Sequence, residues 1–138
     1  MKINGREYEF ADISVVGGGR DIKGLRGISY TAKQEKEVVY GKGKEPASVQ
    51  RGNKSYEGEL TLLQSEVEGL ISSVESHDLM DVTLNLAVCY GDASKGEPMV
   101  TDRITGLEFT EVAKGLTQGD KFGEIALPFV ALRIDYNV

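Results

Sequence analysis

The stretch Lys54-Ser55-Tyr56-Glu57-Gly58-Glu59-Leu60-Thr61-Leu62-Leu63-Gln64-Ser65-Glu66-Val67-Glu68-Gly69-Leu70-Ile71-Ser72-Ser73-Val74 decides the fold, because its period changes halfway. Tyr56, Gly58, Leu60 and Leu62 fall on one face and Glu57, Glu59 and Thr61 on the other, the two-residue alternation of a half-buried strand. From Val67 the apolar residues recur as Leu70, Ile71 and Val74, one stripe of a helix. Ser65 and Glu68 have capping-box spacing, which predicts a helix start there and an end near Ser76-His77-Asp78.

Elsewhere the pattern reads as strands. Tyr8 with Phe10, then Ile13 with Val15, alternate before Gly17-Gly18-Gly19. Ile22 to Ala32 predicts a strand with Ile28 and Tyr30 on one face, and Val38-Val39-Tyr40 is a brief β-favouring run. Val82, Leu84, Leu86, Val88 and Tyr90 alternate cleanly before the polar segment Gly91 to Pro98. Ile104 to Val112 and Gly123 to Asn137 complete the set, with a bulge, edge or bend expected at Pro128. Strands on both sides of one helix, without βαβ alternation, predict a mainly antiparallel β-barrel or sandwich with a flanking helix.

The chain has 138 residues, enough for one domain with a real core. Its 40% apolar and 28% charged residues exclude global disorder and collagen-like repeats. No apolar run approaches the roughly 20 residues that span a bilayer, so no membrane association is expected. Met1 to Glu7 has no apolar run, so no secretory leader is expected. Cys89 is a single cysteine and His77 a single histidine, which leaves no disulfide framework and no paired-cysteine zinc site. His77 reads as a helix-end residue and Cys89 as a small packing residue. The glycine clusters Gly17-Gly18-Gly19 and Gly41-Lys42-Gly43-Lys44 lack P-loop spacing and read as turns. Glu57 and Glu59 project in parallel from one strand rather than across a cleft, unlike a glycosidase pair. No catalytic, cofactor-binding or metal-binding set emerges, and an enzyme is not expected.

Charge is unevenly placed. The chain carries 16 basic and 22 acidic residues, a net of −6. Thr31 to Lys54 reverses this, with Lys33, Lys36, Lys42, Lys44, Arg51 and Lys54 against Glu35, Glu37 and Glu45. An extended basic loop at about 31–54 on an acidic body is either a solvated loop or a device for joining one copy to the next. Nucleic-acid binding is disfavoured, since only Tyr40 is interleaved with these cations.

The run Tyr30-Thr31-Ala32-Lys33-Gln34-Glu35-Lys36-Glu37-Val38-Val39-Tyr40-Gly41-Lys42-Gly43-Lys44-Glu45-Pro46 resembles the loop region of tail tube proteins of contractile-tailed phages. Arg51-Gly52-Asn53-Lys54-Ser55-Tyr56-Glu57-Gly58-Glu59-Leu60-Thr61-Leu62 and the acidic helix start Ser65-Glu66-Val67-Glu68 continue the likeness. Asp102-Arg103-Ile104, Phe109-Thr110-Glu111 and Ile125-Ala126-Leu127-Pro128-Phe129 resemble the closing strands of the same family. The resemblance implies a non-enzymatic subunit, without cofactor, of hexameric rings that stack into a tube through which DNA passes unbound. It implies sheath, tape-measure and baseplate partners, a place in the virion tail, and assembly in the host cytoplasm. The loop at Tyr40, Gly41, Lys42, Gly43, Lys44, Pro46, Arg51 and Gly52 is then the element that reaches the neighbouring ring. Glu57, Glu59 and Thr61 are the candidate lumen face. Alternatives are a type VI secretion-like tube protein, a baseplate tube initiator, or a small β-barrel binding module.

Overall fold

The computed structural model of the chain describes residues 13–17, 20–91, 99–116, 118–119 and 121–138. The strand expected at Tyr8 and Phe10, the glycines Gly18 and Gly19, and residues 92–98 of the polar segment lie outside these. The strands are β1 (Ile13–Gly17), β2 (Arg20–Asp21), β3 (Leu25–Tyr40), β4 (Pro46–Leu63), β5 (Thr83–Tyr90), β6 (Val100–Phe109), β7 (Glu124–Ala131) and β8 (Arg133–Asp135). One helix, α1 (Gln64–Ser73), follows β4. All strand pairs are antiparallel, in the order β2-β1-β5-β6-β7-β4-β3, with β8 continuing β7 along β6. The mainly antiparallel sheet with one helix matches the sequence expectation. Among the described residues the sheet is open rather than a closed barrel, with β2 and β3 at its ends.

Alternation decides which face is buried. Leu60 and Leu62 of β4, Leu86 and Val88 of β5, Ile104 and Leu107 of β6, and Ile125, Leu127 and Phe129 of β7 form the core with Val15. Each such side chain, fully buried, contributes about 1.5–3 kcal/mol. Gly58 sits among them because a Cβ there would lie 2.3 Å from the Ser29 carbonyl oxygen and 2.6 Å from the Phe129 ring. Glu57 and Glu59 are exposed on the opposite face, as the alternation predicts.

The helix is shorter than expected and is not capped as expected. Leu63 occupies the N-cap position without a side-chain cap, and the Gln64 N–H donates to the Gly123 carbonyl at 3.0 Å. A distant loop satisfies the first donor of the helix, and Ser65 lies one residue inside it rather than at its N-cap. At Val74 the backbone turns extended, so α1 ends before Ser76. A 3₁₀ turn at Leu79–Asp81 follows, its Met80 N–H bonded to the Asp78 carboxylate. His77 therefore lies beyond the helix end, in the left-handed region at φ 56°. Val67 is fully buried, whereas Leu70, Ile71 and Val74 pack half-buried against the core edge.

Pro128 stays in register opposite Glu59, so the expected irregularity is not there. Its carbonyl accepts the Thr110 N–H at 3.0 Å just past the end of β6, so its missing N–H faces a side where the ladder stops. The break falls instead at Leu132, between β7 and β8, opposite Gly106. Gly106 has φ +68°, and a Cβ on it would meet the Leu132 side chain at 2.6 Å.

The sheet curls over its core. Tyr30 lies on the end strand β3, yet its hydroxyl donates to the Asp102 carboxylate of β6 and hydrogen-bonds the Tyr90 hydroxyl of β5. Asp102 is buried and also accepts the Asn137 N–H at 2.9 Å. The Tyr30 ring stacks on Tyr136, with centroids 6.1 Å apart. Burial, and then the bond to Asp102, push the Tyr30 phenol well above the ordinary tyrosine range. In the unfolded chain the phenol ionises near about pH 10. The folded chain holds the proton at higher pH, so this contribution is present below about pH 10 and is lost as pH rises further. Denaturant titrations should show stability falling above about pH 10, and Tyr30→Phe should flatten that decline. Asp102→Ala, which removes the acceptor of the Tyr30 hydroxyl and of the Asn137 amide, should cost about 1–3 kcal/mol at neutral pH. An alkaline limb unchanged in Tyr30→Phe would refute this account of the junction.

Candidate functional site

The segment expected as a loop is a β-ribbon. β3 and β4 pair from Leu25↔Leu62 out to Tyr40↔Pro46, with register shifts at Gln34/Lys36 and Val39/Tyr40. β4 has β7 on its other edge only from Tyr56 to Leu63, so Pro46–Ser55 and its partner residues stand clear of the sheet. At about 3.3 Å per residue this ribbon projects roughly 30 Å. The irregular part is confined to the turn Gly41–Glu45, where Gly43 has φ +129° and Lys42 and Lys44 are exposed. Tyr40 and Pro46 close the ladder, Arg51 pairs with Lys36, and Gly52 lies against Glu35.

Pairing sorts the side chains onto two faces. Ala32↔Tyr56, Gln34↔Lys54, Lys36↔Arg51 and Val38↔Val49 occupy the face that continues the core side. Thr31↔Glu57, Lys33↔Ser55, Glu37↔Gln50 and Val39↔Ser48 occupy the other, together with Glu35. The segment that is basic in sum is therefore basic on one side and acidic on the other. Lys36 and Arg51 are like charges directly opposite each other, an arrangement that weakens a ladder. Among the described residues no ion pair relieves them; the ribbon's ion pair is Lys33 Nζ to Glu57 Oε1 at 2.6 Å, at its base. Val38, Val39, Tyr40 and Val49 are exposed at the outer end, Tyr40 by 61%. Where the basic face meets the body, Lys36, Lys54, Tyr56, Ile134 and Tyr136 border a groove of about 400 Å³.

The second candidate surface is the outer face of the sheet. Glu57, Glu59 and Thr61 project together from β4, beside Val130, Pro128 and Ala126 of β7. Register adds Glu108 of β6, opposite Val130, which the sequence alone could not place with them. Glu57 is engaged by Lys33, and Glu124 by Arg26 at 2.8 Å, with the Arg26 guanidinium over the Phe122 ring. Arg103 and the Arg133–Asp135 pair share this face, so its charge is close to balanced, and among the described residues Glu59 and Glu108 are its carboxylates without an ion pair. On α1, Glu68 is ion-paired with Lys114, which lowers its carboxyl below the usual range. Cys89 is half-buried on β5, next to the Thr101 hydroxyl at 3.7 Å. Among the described residues no three histidine, cysteine or acidic side chains converge as a metal site. No helix among them is long and apolar enough to cross a membrane.

No family model matches the sequence, and no curated protein matches it. Solved structures do. A chain of the PVC sheath/tube terminator, from an extracellular contractile injection system, superposes with TM-score 0.72 at 11% identity, covering 94% of this chain and 96% of that one. A chain of the PVC sheath–tube complex gives TM-score 0.69 at 12% identity over 94% and 90%. The anti-feeding prophage tube-terminating cap gives 0.70 at 7% over 94% and 89%. The chain has the fold of contractile-system tube and cap components. At these identities the likeness is one of fold, and it spans nearly the whole length.

A two-stranded hairpin without further partners is marginal in water. Amides of the isolated chain at 33–40 and 46–55 should therefore exchange with deuterium much faster than those of β5 and β6, and slow markedly on assembly. Equal protection of ribbon and core in the isolated chain would show the ribbon to be self-sufficient.

Proposed function

We propose that this protein is a structural, non-enzymatic subunit of a tail-type tube, assembling with copies of itself into rings that stack around a channel for DNA. The observation that carries this reading is the ribbon, roughly 30 Å of paired backbone with no core of its own, on a body of the contractile-tube fold. Nothing in the isolated subunit uses it, whereas a neighbouring copy would bury its exposed valines and separate its facing cations. Hexameric rings, sheath, tape-measure and baseplate partners, and a place in a virion tail belong to the same proposal. A terminating cap is the second reading, favoured by the likeness to terminator and cap structures.

The two readings differ in what the chain builds. A tube subunit should polymerise into tubes of open length, and a cap into single rings, as negative-stain electron microscopy of concentrated protein would distinguish. Replacing Tyr40–Gly52 by a short Gly/Ser linker should leave a folded domain that forms neither. Normal tubes or rings from that variant would refute the proposal.

The lumen assignment of Glu57, Glu59 and Thr61 is part of this proposal, with Glu108 added. The near-balanced charge of that face limits repulsion of DNA to short range, within about 8 Å at physiological salt. Glu59→Lys with Glu108→Lys should permit assembly yet make tubes retain DNA, less so at high salt. Tubes of that double variant releasing DNA normally would exclude this face from the channel.

A further inference from the structure

The two faces of the ribbon match each other. Counted outward from the base, one face presents Lys54 at the Gln34 rung, then Lys36 with Arg51, then Val38 with Val49. The other presents Lys33, which Glu57 holds at the base, then Glu35, then Glu37, then Val39. Successive rungs are about 3.3 Å apart, so the Lys36–Arg51 rung lies level with the gap between Glu35 and Glu37. The Val38–Val49 rung lies level with the gap between Glu37 and Val39. We propose that ribbons of adjacent copies stack face to face at equal height, the basic face of one on the acidic face of the next, so that each ribbon's partner is the ribbon of a second copy of this chain. The inference rests on the self-assembling reading above and names the surface that does the joining.

Several observations favour a ribbon over the acidic body as the occupant. Among the described residues no ion pair reaches Lys36 or Arg51, which oppose each other, and two carboxylates at matching height remove that repulsion. The valines at the outer end come level with one another in the same arrangement, so charge and apolar contacts agree on one register. Stacking like face on like face puts three cations against three cations, which fixes the direction of the contact. A contact of unlike faces is heterologous: each added copy leaves a fresh face open, and the array either closes into a ring or continues. The side chains involved are exposed, so reversing their charge leaves the core untouched.

A charge-swap cycle on the full chain tests this. One variant combines Lys36→Glu, Arg51→Glu and Lys54→Glu; a second combines Glu35→Lys and Glu37→Lys; a third carries all five. Assembly is read by sedimentation velocity and electron microscopy at low ionic strength, with circular dichroism to confirm an unchanged fold. The first two variants should each lose assembly alone, their equimolar mixture should recover it, and the five-fold variant should assemble by itself. Wild-type assembly should weaken as salt rises. If the Glu35→Lys/Glu37→Lys variant assembles like wild type, or the mixture does not recover, ribbon stacking is wrong while self-assembly stands. A wild-type chain that does not associate at any concentration would overturn the self-assembling reading itself.

Discussion

Tyr30 joins the two halves of the molecule. It belongs to β3, the last strand of an open sheet, and its hydroxyl is nevertheless held by Asp102 and Tyr90 from strands near the middle of that sheet. A sheet with a free end could splay; this one is drawn over its own core by a buried carboxylate. Asp102 is bearable in that position because the Tyr30 hydroxyl donates to one of its oxygens and the Asn137 amide, from the chain's last residues, to the other. Gly58, where even a methyl group would strike the Ser29 carbonyl and the Phe129 ring, lets β3 and β4 settle at the depth the junction requires.

That junction sits where the ribbon leaves the body. Tyr136 stacks on Tyr30, and Ala32↔Tyr56 is the next rung outward. The base of the ribbon is therefore fixed by packing, while the outer part has only its own ladder. In the proposed assembly, such a division would let the ribbon present two faces in a defined direction and gain order against its neighbours.

The outer face of the sheet tells against a strongly anionic wall. Counter-ions come from the same chain: Lys33 for Glu57, Arg26 for Glu124, Arg133 for Asp135. In the proposed ring, a surface balanced in this way would neither grip a polyanion nor repel it at a distance. That behaviour is suited to passage.

Which parts were legible in the sequence follows from where one face is buried. The strand at Tyr56–Leu62 and the helical stripe through Val67 were readable because a core on one side imprints a period on the residues. Between Thr31 and Ser55 no such imprint exists, since both faces of the ribbon are exposed, and a polar, glycine-containing stretch then reads as a loop. The helix start was misplaced because its first donor is satisfied by Gly123, some sixty residues away. Composition fixed the net charge of the segment, but pairing decided that Lys36, Arg51 and Lys54 share one face while Glu35 and Glu37 share the other with Lys33. Glu108 reached the candidate lumen face only through strand register, and Asp102 reached Tyr30 only through the curl of the sheet. The sequence by itself determined the fold class and the buried faces, because local periodicity records burial. Tertiary structure decided the ribbon, its charge sorting and the closing of the sheet, because each depends on which distant residues hydrogen-bonding places side by side.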